Sequence, residues 1–203
     1  MLPTLESFWT GPDETDRRLT AAEEYEQAKD ALEANAAETH RRICAVASAF
    51  EGATAIVLPG RYSSGWRPQA VNDATANSGK ASNHMKAWAG DVADLPDGQF
   101  AWWCFVNAHV LEQHQVWMEH PAGTVLRAYA KAREQKREPT PWCHLQIMPP
   151  ASHNRIYFPD TASLDEWEAY LKDGGAAGAS FEAWSAHQPQ EKKTLHLRRG
   201  RGQ

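Results

Sequence analysis

The sequence predicts an α+β domain. Helical apolar periodicity is concentrated in the stretches 20–50, 99–113 and 125–137. The short strand-like runs between them do not alternate with helices in βαβ units, which disfavours a doubly wound sheet. A chain of 203 residues, 42% hydrophobic and 23% charged, has material for one core and little room for two.

Thr20-Ala-Ala-Glu23 has the form of a capping box and opens the helix expected over 20–50. Ala28, Leu32, Asn35, Ala36, Ile43, Val46 and Ala47 recur along it at helical spacing, and Gly52 is its expected stop. Residues 55–58 and 61–66 read as short extended segments, the second ending at Pro68. The Asn-, Ser-, Gly- and Ala-rich residues 75–83 read as a loop. A strand is expected over 89–93, a turn at Pro96-Asp97-Gly98, and a helix over 99–113 that packs through Trp102, Phe105, Val106 and Leu111. Residues 115–119 form an expected strand halted by Pro121; 125–137 form a basic amphipathic helix, and 142–148 a further strand. A short helix over 164–172 and a Gly-rich hinge at 174–178 follow. Residues 1–19 are therefore expected to be an arm, and 20–160 the domain, with 122–138 an inserted helical excursion. Residues 161–203 hold a helix and a basic, flexible tail.

Composition excludes several functions. Mean hydropathy is −0.63 and no run approaches 18 apolar residues, so no membrane span is expected. Residues 1–16 lack a basic stretch followed by an apolar core, so no Sec signal peptide is expected. Cys44, Cys104 and Cys143 are too few and scattered for a disulfide scaffold, and they suit a reducing compartment. Net charge of −5 argues against a general nucleic-acid binder. Yet residues 192–203 carry five basic side chains and no acid. That tail reads either as a solvated end or as a contact for an anionic polymer. The nine tryptophans, several beside polar residues, suggest a lined cleft as well as a core.

His84 and Asp91 lie seven residues apart, and His144 sits in Trp142-Cys-His144-Leu-Gln146. Two imidazoles and one carboxylate make a three-ligand site with an open fourth position, as in catalytic zinc centres. In a strand through Asp91, Ala89 and Ala93 share its face and leave room beside the carboxylate. His144 shares a face with Trp142 and Gln146, while Cys143 and Leu145 point to the core. The competing reading is a helical i, i+7 pair of His84 and Asp91 with His144 a core histidine. His109-Val-Leu-Glu112-Gln-His114 has the wrong offsets for a zincin helix and reads as an ordinary helix end.

The segment Ser64-Gly-Trp-Arg67-Pro, then Ser82-x-His84 and Asp91, resembles the zinc D-Ala-D-Ala carboxypeptidase and murein endopeptidase family. The likeness continues through Trp117-Met-Glu119-His-Pro121, Trp142-Cys-His144-Leu-Gln146 and Asn154-Arg155-Ile-Tyr-Phe-Pro159, over residues 20–160. Pro141, Cys143 and the insertion over 122–138 depart from the pattern without removing a ligand. The resemblance implies a hedgehog-like α+β fold with a small antiparallel sheet flanked by helices. It also implies Zn2+ held by His84, Asp91 and His144. Its implied activity is hydrolysis of peptide-stem bonds in bacterial peptidoglycan, with a glutamate as general base. Glu119 is the favoured base and Glu138 the alternative. Arg67 is the expected electrophilic partner, or else half of a structural ion pair. Ser82 and Gln146 are expected to orient the site or hydrogen-bond substrate, and Trp66 to wall the cleft or to pack in the core. A catalytically silent wall-binding or virion domain of the same fold is the other reading. Lacking an export signal, such an enzyme would reach the wall as a phage or prophage lysin, or as a virion component.

Overall fold

In the computed structural model the described residues are 1–158 without 12–13 and 76–77. The expected helix over 164–172, the hinge and the basic tail lie outside them. The elements form a mixed α+β arrangement. Helices α1 (Leu5–Trp9), α2 (Arg17–Thr20) and α3 (Ala22–Thr54) precede β1 (Tyr62–Ser64), and α4 (Gln69–Ala74) follows it. A 3-10 turn, Asn83–Lys86, leads into β2 (Ala89–Ala93). Then come α5 (Gln99–Val106), α6 (Ala108–Gln113), β3 (Trp117–Glu119), α7 (Pro121–Gln135), β4 (Trp142–Gln146) and β5 (Ile156–Tyr157).

The five strands lie in the order β1-β2-β4-β3-β5. The first three pairings are antiparallel, but β3 and β5 are parallel, so the sheet is mixed rather than wholly antiparallel. Chain reversal explains this. Both edges of β4 are taken by β2 and β3, so the strand after it must add at an outer edge. Having turned back from β4, it runs alongside β3 in the same direction.

Helix α3 is the spine of the core. Leu32, Ala36, Ile43, Val46 and Ala47 are buried at the helical spacing read from the sequence, and Phe50 joins them, whereas Ala28 is exposed and Asn35 only half-buried. Its ends differ from expectation. Asp16 caps α2 by accepting from the Arg18 N–H, so the chain is already helical at Thr20 and no capping box forms. Gly52 does not stop the helix, which ends when Ala55 enters the left-handed region at φ 58°. Residues 55–58 join no strand; the Leu58 N–H donates to Glu51 Oε1 instead.

Residues 1–19 are not a free arm. Phe8 and Trp9 are buried against Tyr62, Tyr25 and Trp66. Gly65 permits this close approach, since a Cβ there would lie 2.0 Å from the Phe8 carbonyl oxygen. The helix expected over 99–113 is broken at Asn107, whose side-chain amide donates to the Trp103 carbonyl at 2.8 Å. Pro121 opens α7 rather than merely halting β3, because a first-turn proline forfeits no helical hydrogen bond. Val125, Ala128 and Ala132 of α7 are buried, so the insertion belongs to the core rather than to a detached excursion.

Asp94 links sheet to helix just past β2. Its Oδ1 accepts from the Leu95 and Phe100 N–H groups at 2.7 and 2.9 Å, and Oδ2 from Ala101 at 2.8 Å. The buried carboxylate thus caps α5. Asp94→Ala would orphan two buried donors and one part-buried donor and is expected to cost about 3 kcal/mol, read from a urea midpoint. A loss below about 1 kcal/mol, within the ordinary range for exposed sites, would remove this role.

Candidate metal centre

Cross-strand register brings the distant residues together. Asp91 and His144 are direct partners in the β2–β4 ladder, so both side chains stand on the same sheet face. Cys143 and Leu145 alternate to the other face and are fully buried, as the sequence predicts. The β3–β4 register pairs Trp117 with Gln146 and Met118 with Leu145. One residue further, Glu119 returns to the face of Trp117, beside His144. The 3-10 turn delivers His84: Ser82 caps it by accepting from the His84 N–H, and Ala87 closes it at φ 56°.

The three ligand atoms converge. His144 Nδ1 lies 2.7 Å from Asp91 Oδ1, and His84 Nε2 lies 3.4 Å from that oxygen and 3.3 Å from His144 Nδ1. Tetrahedral zinc with bonds of about 2.0–2.1 Å needs donors roughly 3.3 Å apart, so the set fits a metal ion of this size. Two separations meet that spacing, and the third is a carboxylate–imidazole hydrogen bond. Both rings are oriented from behind. His84 Nδ1 donates to the Gly65 carbonyl at 2.7 Å, and His144 Nε2 faces Gln146 Oε1 at 3.3 Å. Each histidine therefore turns its other nitrogen toward the cluster. Hence His84, Asp91 and His144 could hold a metal ion.

Burial and mutual charge set the protonation states. Burial pushes His84 down to about 4, against the opposing pull of Asp91. Burial disfavours the Asp91 charge, but His84 and His144 outweigh it and hold the carboxyl well below its ordinary range. Burial also disfavours charge on His144, yet the Asp91 hydrogen bond and charge raise its pKa overall.

Glu119 and Arg67 complete the rim. Glu119 is 8% exposed, its Oε1 makes no hydrogen bond, and Arg127 Nη1 lies 3.6 Å from that oxygen. Burial raises its pKa against the nearby His144 and Arg127. Arg67 is tied to the 3-10 turn through its backbone N–H, which donates to the His84 carbonyl at 3.2 Å. Its buried Nε makes no hydrogen bond. Burial lowers its pKa, while the charges of Asp91 and Glu119 favour the guanidinium.

Other expected site residues lie elsewhere or do something else. Trp66 is fully buried and its indole donates to the Met85 carbonyl, so it cannot wall a substrate cleft. It is drawn inward because Gly65 lies against the backbone of α1. Glu138 is exposed on the connection between α7 and β4, where its carbonyl accepts from Arg137; it has no described contact with the cluster. Gln146 is 3% exposed and reaches His144 Nε2 with its side-chain oxygen. Sequence reasoning missed Gly65, Arg127 and Tyr157 as site partners. Gly65 and Tyr157 stand within the quoted motifs, but only the register and the fold place them beside the histidines. His109 and Glu112 line a separate groove of about 390 Å³ with Arg155. They join no converging ligand cluster among the described residues.

Near the site, His120 packs between the rings of Phe105 and Phe158, centroids at 4.8 and 4.6 Å. Burial pushes its pKa from 6.5 to about 4. The unfolded chain thus binds more protons between these values, and stability is expected to fall as pH drops from 6.5 toward 4. His120→Phe should flatten part of that slope in denaturant titrations across this range. An unchanged slope would remove His120 from the account.

The fold and site define a mixed α+β chain with a two-histidine, one-aspartate cluster able to take a metal ion. No family model, curated protein or solved structure matches the chain. Among the described residues, no helix is long and apolar enough to cross a membrane.

Proposed function

We propose that this chain is a zinc-dependent peptidase that cuts peptide-stem bonds of bacterial peptidoglycan. The observation that carries the proposal is the convergence of His84, Asp91 and His144 beside Glu119 and Arg67 on one face of the sheet. The likeness of the motifs around these residues to murein peptidases supplies the substrate class. Zinc bound by this donor set supplies Lewis acidity toward a scissile carbonyl and makes water more acidic.

The protein's own groups account for the rest. Glu119 has a raised pKa and an oxygen that makes no hydrogen bond, both suited to taking a proton from water and passing it to the leaving amine. Arg67 offers an unpaired N–H and a fixed positive charge for a substrate carboxylate or a developing oxyanion. Next to the cluster, a groove of about 310 Å³ is lined by Asn83, Gln146, Pro150, Ser152 and Tyr157 among others. Its uncharged polar lining suits a peptide backbone. Ser82 acts by capping the turn that carries His84.

Digestion of purified peptidoglycan with the zinc-loaded protein, followed by mass spectrometry of the muropeptides, tests the proposal. Shortened or uncoupled stems should appear, and not with His144→Ala. Intact stems with fully zinc-loaded protein would count against it.

A further inference from the structure

Resting on the metal-centre reading above, we infer that Tyr157 and Gln146 form a positioning relay that fixes the His144 ring, with Nδ1 turned toward His84 and Asp91. The Tyr157 hydroxyl donates to Gln146 Oε1 at 2.6 Å, and the same oxygen lies 3.3 Å from His144 Nε2. At its other end, Gln146 Nε2 donates to the Met148 carbonyl at 2.6 Å.

The direction of each bond follows from chemistry. A backbone carbonyl only accepts, so Met148 must receive the Gln146 amide N–H. The amide oxygen then points away from Met148, toward Tyr157 and His144. Because that oxygen also only accepts, His144 must donate from Nε2. Nε2 thus carries a proton on the Gln146 side, while Nδ1 faces the cluster, where it donates to Asp91 at 2.7 Å and must give up that proton to ligate a metal. Were the Gln146 oxygen lost, nothing else described would hold the Nε2 side of the ring. His84 differs, because its outer nitrogen is held by the Gly65 backbone and no side chain can tune it.

The parallel edge strand gains a purpose from this arrangement. The β3–β5 register sets Tyr157 beside Glu119, and its ring stands edge-on to His144 at 6.5 Å between centroids. Tyr157 and Gln146 are positioning residues that act through His144.

The test compares zinc affinity of the full chain, by chelator competition, in wild type, Tyr157→Phe and Gln146→Leu. Loss of such outer partners commonly weakens metal binding 10–100-fold, so Gln146→Leu should fall in that range and Tyr157→Phe at about its lower end. A nitrogen-15 NMR readout of His144 adds a signal that general destabilisation would not mimic. Zinc-loaded wild type should show the Nε2–H tautomer with a protected proton, and zinc-loaded Tyr157→Phe, a mild change, should expose that proton to exchange. Unchanged zinc affinity in both variants, or an Nδ1–H tautomer in zinc-loaded wild type, would overturn the relay alone. Wild type that binds no zinc would instead overturn the metal-centre reading on which the relay depends.

Discussion

Glu119→Gln is expected to lower turnover by roughly 10²–10⁴ while leaving zinc content unchanged, since removal of a general base commonly costs that much. The amide keeps the shape of the carboxylate but cannot accept a proton. Its neighbours favour the assignment: the carboxylate is buried, faces His144 and Arg127, and has a raised pKa. Glu138→Gln should be almost silent, because that side chain is exposed and has no described contact with the cluster. Matched kinetic assays of the two variants decide the matter. A large loss in Glu138→Gln beside an active Glu119→Gln would reverse the assignment.

The second large effect is expected from the ligands themselves. His84→Ala, Asp91→Ala and His144→Ala should each lose both metal and activity, because a three-donor site has none to spare. Stability should respond in a characteristic way. Without zinc, Asp91→Ala removes the carboxylate that partners both histidines, so it should perturb folding more than His144→Ala does. Zinc measured by atomic emission after dialysis, with thermal unfolding of each metal-free variant, checks both statements. Activity surviving in any of the three would break the link between this cluster and the chemistry.

Much of this site is legible in the sequence because strand alternation is local information. Asp91 with Ala89 and Ala93 two residues to either side, and His144 between Cys143 and Leu145, show which side chains share a face once the segments are strands. The packed face of α3 is legible for the same reason. What escapes is whatever depends on non-local pairing. The parallel β5 cannot be read from residues 156–157, since its direction is set by which edges of β4 are already occupied. Trp66 is misjudged because its burial depends on Phe8 and Trp9, more than 50 residues away and read only as part of an arm. The α7 insertion is legible as an amphipathic helix, but only the fold shows that Val125, Ala128 and Ala132 tie it into the core. Capping at Thr20 fails for a neighbouring reason: Asp16, one turn earlier, has already started a helix.

The most direct measurement is X-ray absorption at the zinc edge on protein loaded with one equivalent of zinc. The account predicts a shell of nitrogen and oxygen donors, two of them imidazoles, with no sulfur, and loss of that shell in His144→Ala. A zinc–sulfur distance of about 2.3 Å would place the metal on cysteine and contradict the account, as would an unchanged spectrum in His144→Ala.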